Sequence, residues 1–188
     1  MSRVVIPLVE GFEEIEALTV VDIMRRAGIQ AVTAAVGANP VASSHNIRVE
    51  ADTTIDAVRD DADIDMVVLP GGPGTAKLGE SDALRALVER LRNADKEIAA
   101  ICAAPGVLAG FGMLDGKRAT SFPAVRDKLE AVGVDYQESA VVRDGKVTTS
   151  RGPGTAMDFA LELVAILEGT KTRDEVESGL MRPAPTTA

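Results

Sequence analysis

The stretch Lys96-Glu97-Ile98-Ala99-Ala100-Ile101-Cys102-Ala103-Ala104-Pro105-Gly106-Val107-Leu108-Ala109 limits what this chain can fold into more than any other. Ile98 to Ile101 is a short apolar run bounded by charge on one side and small residues on the other, the pattern of a central parallel strand. Pro105 cannot serve in such a strand, but it fits the first turn of a helix, where its missing N–H is not needed. Cys102 therefore lies at a strand-to-helix elbow, with its side chain at the carboxyl edge of a sheet and the free N–H groups of the next helix facing it. A helix N-terminus favours negative charge, hence thiolate over thiol. The opposing reading is that a lone cysteine is a small buried hydrophobe. Spacing alone leaves both open.

The flanking segments supply the rest of such a sheet. Arg3–Val9 reads as a buried strand, followed by a helix with Glu13, Glu14 and Glu16 in its first turns and Ala27-Gly28 at its end. Gln30 to Val36 is a second strand. Val41 to Ala51, centred on Ser43-Ser44-His45-Asn46, predicts a β-hairpin projecting from the core, a candidate dimerisation arm. Asp65 to Leu69 is the next strand and runs into Pro70-Gly71-Gly72-Pro73-Gly74. Ser81 caps a helix to about Asn93, with Leu84, Leu87, Val88 and Leu91 on its inner stripe. Beyond the elbow, short strands at Val134–Gln137 and Ala140–Arg143 precede a hairpin turn at Asp144-Gly145. A second glycine-rich loop, Ser150 to Thr155, leads into an apolar helix from Ala156 to Leu167.

Strands alternating with helices predict an α/β fold, a doubly wound parallel sheet with helices on both faces. Ligands in such sheets bind at the carboxyl ends of the strands, where Glu16, Gly71, Gly72, Cys102, Gly152 and Pro153 should converge. Glycine-rich loops there let the backbone approach a ligand and aim N–H groups at it. The first is no phosphate loop, because no Gly-Lys-Ser/Thr follows.

Composition narrows the function. A chain of 188 residues that is 46% hydrophobic suits one domain, here 1–180, with the Pro/Thr/Ala-rich 181–188 as a tail. A net charge of -9 without tryptophan offers neither the electrostatics nor the stacking surface of a nucleic-acid binder. One cysteine forbids an internal disulfide, and one histidine leaves no zinc cluster, so no metal is expected. No apolar run approaches the roughly 20 residues of a membrane span, and no signal-peptide pattern opens the chain. The expected setting is the reducing cytoplasm.

Four ordered motifs carry a resemblance: Gly11-Phe12-Glu13-Glu14-Ile15-Glu16, Val67-Val68-Leu69-Pro70-Gly71-Gly72, Ala99-Ala100-Ile101-Cys102-Ala103-Ala104-Pro105 and Thr149-Ser150-Arg151-Gly152-Pro153-Gly154-Thr155. Together they resemble the ThiJ/PfpI superfamily, in the branch of the parkinsonism-associated deglycase and bacterial YajL. The resemblance implies a flavodoxin-like fold, a homodimer, a site without cofactor and an oxidisable nucleophilic cysteine. It makes Cys102 the nucleophile, Glu16 the carboxyl bonded to it, and the N–H groups of Gly72 and Ala103 the oxyanion donors, with Gly71 shaping the same loop. Arg26 and His45 are the candidates for reaching a partner subunit's site. Two positions depart from the pattern. Ala103 stands where the peptidase-like branch has histidine, so a Cys-His peptidase is not supported. Phe122 stands where other relatives carry a histidine near the pocket, which leaves Glu16 as the general acid and base. Two functions follow: a glyoxalase- or deglycase-like hydro-lyase or hydrolase acting on 2-oxoaldehydes through a hemithioacetal at Cys102, or a redox sensor or chaperone in which peroxide oxidises Cys102 to sulfinate.

Overall fold

The computed structural model describes residues 1–182. The chain runs β1 (Arg3–Val9), α1 (Glu14–Arg26), β2 (Gln30–Val36), β3 (Val41–Ala42), β4 (Arg48–Val49), β5 (Thr53–Thr54), α2 (Ile55–Val58), β6 (Met66–Leu69), α3 (Thr75–Gly79), α4 (Asp82–Asn93), β7 (Glu97–Ile101), α5 (Pro105–Gly110), β8 (Arg118–Ala119), α6 (Arg126–Glu130), β9 (Asp135–Tyr136), β10 (Val141–Asp144), β11 (Val147–Ser150) and α7 (Ala156–Ser178). Seven strands form one sheet in the order β10-β11-β7-β6-β1-β2-β5. Every neighbouring pair is parallel except β10 and β11, which meet across the Asp144-Gly145 turn.

Alternation along the central strands divides the core into two layers, because successive side chains point to opposite faces. Val4, Ile6 and Leu8 of β1, Met66 and Val68 of β6, and Ala99 and Ile101 of β7 pack beneath α1 and α7. Val5, Val9, Val67, Leu69, Ile98 and Ala100 pack on the other side, beneath α3, α4 and α5. The expected stripe of α4, Leu84, Leu87, Val88 and Leu91, is completely buried. Truncating one such leucine to alanine costs roughly 2–5 kcal/mol.

The site is positioned by the sheet order. The chain leaves β1 for β2 on one side and returns to β6 on the other, so the order reverses between β1 and β6, and crevices form at the carboxyl ends of strands at such a reversal. Pro7 sharpens it. The β1–β2 ladder runs from Arg3↔Gln30 to Val9↔Val36, whereas the β1–β6 ladder stops at Val5↔Val67. Pro7 keeps its place opposite Ala34 in the β1–β2 ladder but has no N–H to offer β6, and the loops after β1 and β6 meet beyond this point.

Several details lie outside the sequence expectation. The hairpin β3–β4 stands apart from the main sheet as expected, but its turn is tied back to the start of α1: Gly11 N–H donates to Ala42 O at 2.8 Å and Ser44 N–H to Phe12 O at 2.8 Å. The short edge strand β5 and the helix α3 are additional. The last helix does not end at Leu167; it breaks at Gly169, where φ is +86°, and continues to Ser178. Arg182 pairs with Asp158 at 2.6 Å and Glu177 at 2.9 Å, so the beginning of the expected tail is anchored, while 183–188 lie outside the described residues. Among the described residues no helix is long and apolar enough to cross a membrane.

Candidate active site

Cys102 occupies the elbow between β7 and α5, and Pro105 is the first helical residue. Its backbone is left-handed, with φ +64°, a conformation uncommon for a residue carrying a side chain. Neighbouring segments hold it there. Cys102 N–H donates to Ser150 O at 3.0 Å, and Phe122 N–H donates to Cys102 O at 2.8 Å. The side chain is nearly buried, 9% exposed.

Glu16 reaches this elbow from the first turn of α1 and is completely buried. Its Oε2 accepts the Gly71 N–H at 2.8 Å, and its Oε1 has no partner of ordinary hydrogen-bond geometry. Burial pushes the carboxyl up to about 7, against hydrogen bonds with the Cys102 thiol and Gly71 N–H that pull it down, while the charge of Glu13 adds to the rise. The same contact acts on the cysteine. Burial first, and then the Glu16 carboxylate, push the Cys102 thiol up to about 12. The expectation that the elbow lowers the thiol is therefore corrected: the Ala103 and Gly72 N–H groups act downward, but desolvation and the adjacent anion outweigh them. The two groups share a proton and titrate as a pair.

The glycine-rich loops divide the remaining work. A methyl on Gly71 would stand 2.7 Å from both Cys102 Cβ and Glu16 Oε2, so glycine alone lets the two side chains converge. Gly72 has φ +109°, and a Cβ there would lie 2.5 Å from Glu13 N and Gly11 O. Because the Gly71 N–H is committed to Glu16, the donors directed at the sulfur are those of Gly72 and Ala103. Gly152 adjoins the thiol, since a methyl on it would stand 4.0 Å from Sγ and 3.5 Å from Phe122 Cδ2. Its N–H is held by Thr155 Oγ1 at 3.1 Å, so Gly152 is a wall rather than a donor, and Pro153 opens the turn that fixes it. Sequence reasoning missed this anchoring by Thr155 and Ser150, whose hydroxyl oxygens lie 2.7 Å apart. It also registered Phe122 only as a missing histidine.

The two candidates for cross-subunit contact lie outside this cluster. His45 sits in the hairpin turn with Nδ1 2.7 Å from Glu14 Oε1, and Ser44 bridges Glu13 and Glu14. Arg26 is at the far end of α1 from Glu16, about 15 Å along the helix, and pairs with Asp22 at 2.7 Å.

The chain is 40% identical to Protein dj-1beta of Drosophila melanogaster over 176 residues, covering 93% of this chain and 94% of that one. It is 35% identical to the Glutathione-independent glyoxalase DJR-1.2 of Caenorhabditis elegans, covering 93% and 90%. Protein DJ-1 homolog A of Arabidopsis thaliana is 38% identical across 98% of this chain, which spans about half (48%) of that longer protein. The crystal structure of Drosophila DJ-1beta superposes with a TM-score of 0.93 at 39% identity, covering 98% of this chain and 100% of that one. A profile of the DJ-1/PfpI family matches residues 2–166, and the chain belongs to that family.

Proposed function

We propose that this protein is a cofactor-independent stress enzyme that converts reactive 2-oxoaldehydes to 2-hydroxy acids through Cys102. The observation that carries the reading is a fully buried glutamate with no cation beside it, in contact with a thiol that faces two backbone N–H donors. The relative named as a glyoxalase supports the substrate class.

The pair carries one proton and one negative charge, resting as carboxylate and thiol, and it reacts as the tautomer in which that proton has passed from sulfur to Glu16 and the sulfur is thiolate. Neutral Glu16 no longer repels the sulfur, and its O–H can donate to it. The thiolate adds to the aldehyde carbon, forming the C–S bond. The displaced C=O electron pair settles on oxygen, where the Gly72 and Ala103 N–H groups hold it until Glu16 delivers a proton. The Glu16 carboxylate then takes the hydrogen of the former aldehyde carbon as a proton, and the freed pair forms an enediolate with its charge on the former keto oxygen. Return of that proton to the neighbouring carbon, while the hydroxyl proton on the first carbon's oxygen passes to the former keto oxygen, gives a thioester, and water cleaves it to the 2-hydroxy acid and free thiol. The first carbon is oxidised as the second is reduced, so no external electron acceptor is required.

Direct measurement of lactate from methylglyoxal tests the reading, because adduct formation also depletes aldehyde. Cys102→Ser is expected to abolish lactate formation. Equal lactate from wild type and variant would overturn the reading and leave oxidation of Cys102 to sulfinate as the function to pursue. We also propose that the protein acts as a cytoplasmic homodimer of the single unit 1–180. Exposed Ile15 and Ile47 on α1 and the hairpin support that arm as the interface. Sedimentation at micromolar protein showing only monomer would remove the dimer.

A further inference from the structure

We infer that Phe122 sets the specificity of the site, favouring 2-oxoaldehydes with an apolar substituent over unsubstituted glyoxal. The inference rests on the aldehyde reading proposed above. Of the four phenylalanines, Phe12 and Phe159 are 0% exposed and Phe111 is 7%, whereas Phe122 is 45% exposed and stands at the elbow instead of in the core. Its position is fixed by the backbone that fixes the cysteine. Phe122 N–H donates to Cys102 O at 2.8 Å, Tyr136 OH donates to Ser121 O at 2.9 Å, and Thr120 N–H donates to Thr149 Oγ1 at 2.9 Å. Pro123 then restricts the residue before it to extended backbone, as found.

Gly152 adjoins both the ring and the sulfur. The point 3.5 Å from Phe122 Cδ2 and 4.0 Å from Cys102 Sγ is the one a side chain at 152 would occupy, and glycine leaves it open. The aromatic edge and the nucleophile both border that point. The keto carbon of a 2-oxoaldehyde is bonded to the carbon that sulfur attacks, so a methyl or phenyl group on it falls beside the sulfur and within reach of the ring. Removing that group from water against the ring is favourable. Glyoxal carries only hydrogen there and gains nothing. One methylene in an apolar pocket discriminates by about 10–200-fold.

The test compares kcat/KM for phenylglyoxal, methylglyoxal and glyoxal, each followed by its 2-hydroxy acid, in wild type, Phe122→Ala and Phe122→Leu. In Phe122→Ala the phenylglyoxal-to-glyoxal ratio is expected to fall about tenfold or more, and the methylglyoxal-to-glyoxal ratio to fall less. Phe122→Leu, which keeps an apolar wall, should retain most of the preference. A ratio unchanged in Phe122→Ala, with wild type turning over all three, would overturn the inference and leave the proposed activity standing. Absence of product from every aldehyde with wild type would overturn both, beginning with the activity.

Discussion

Two buried glutamates sit at opposite ends of the same sheet, and they are treated in opposite ways. Glu97 opens β7 and is 8% exposed; Arg143 lies 3.2 Å and Lys146 3.1 Å from its Oε1. Glu16, at the carboxyl end, is 0% exposed, and the groups bonded to its carboxyl are an N–H and a thiol. A carboxylate given cations forms ion pairs that fasten neighbouring segments together. One denied them must hold a proton or share one, and a carboxyl that takes up and releases a proton near neutral pH is what acid–base chemistry needs. Isolation from cations therefore distinguishes the proposed catalytic carboxyl from the structural one better than burial does.

Exchanging the two carboxyls for amides tests this contrast most severely. Glu16→Gln should reduce turnover by roughly 10²–10⁴-fold, whereas Glu97→Gln should leave kcat close to wild type and lower the melting temperature. Comparable loss of activity in both would mean that the sheet, not the proton, is what matters. Next in size is Gly71→Ala, whose methyl drives into Cys102 Cβ and Glu16 Oε2 at 2.7 Å. The overpacking should cost about 1–3 kcal/mol in denaturant unfolding, with activity falling alongside.

Stability against pH gives a third comparison. The folded state raises Glu16 from 4.5 to about 7, so the native protein binds the extra proton in that window and loses stability as pH rises through it, with no further loss from this group above it. Glu16→Gln should accordingly be the more stable protein at pH 8, by roughly 1–3 kcal/mol, and the advantage should fade toward pH 4.5. The smallest effect belongs to Glu13, whose charge contributes to raising Glu16. Activity should rise with pH as the pair loses its first proton, and Glu13→Gln should move that rise to lower pH, by about a few tenths of a unit. A shift upward would place the sensitive charge elsewhere.

Much of this arrangement is legible in the chain. Ile98 to Ile101 read as a buried strand from its charged and small-residue flanks, and Pro105 placed the first turn of the next helix, which begins at that residue. The stripe of α4 followed from spacing. What escaped was either too short or too polar to leave a periodic signal. β5 has two residues, and the helix past Gly169 is exposed over most of its surface and carries ion pairs such as Arg173–Glu177 at 3.1 Å. The direction of the cysteine's shift escaped for another reason. The elbow's N–H groups are visible in sequence, but the opposing desolvation depends on how tightly four separate loops close, which only the assembled sheet determines.

The left-handed backbone of Cys102 has a consequence for anyone improving this protein. Placing an L-residue in that region costs about 1–2 kcal/mol, so glycine at 102 would be the more comfortable choice. A library screened for heat resistance alone would thus favour variants that have lost the Cys102 thiol, and any such screen needs an activity filter at this one codon.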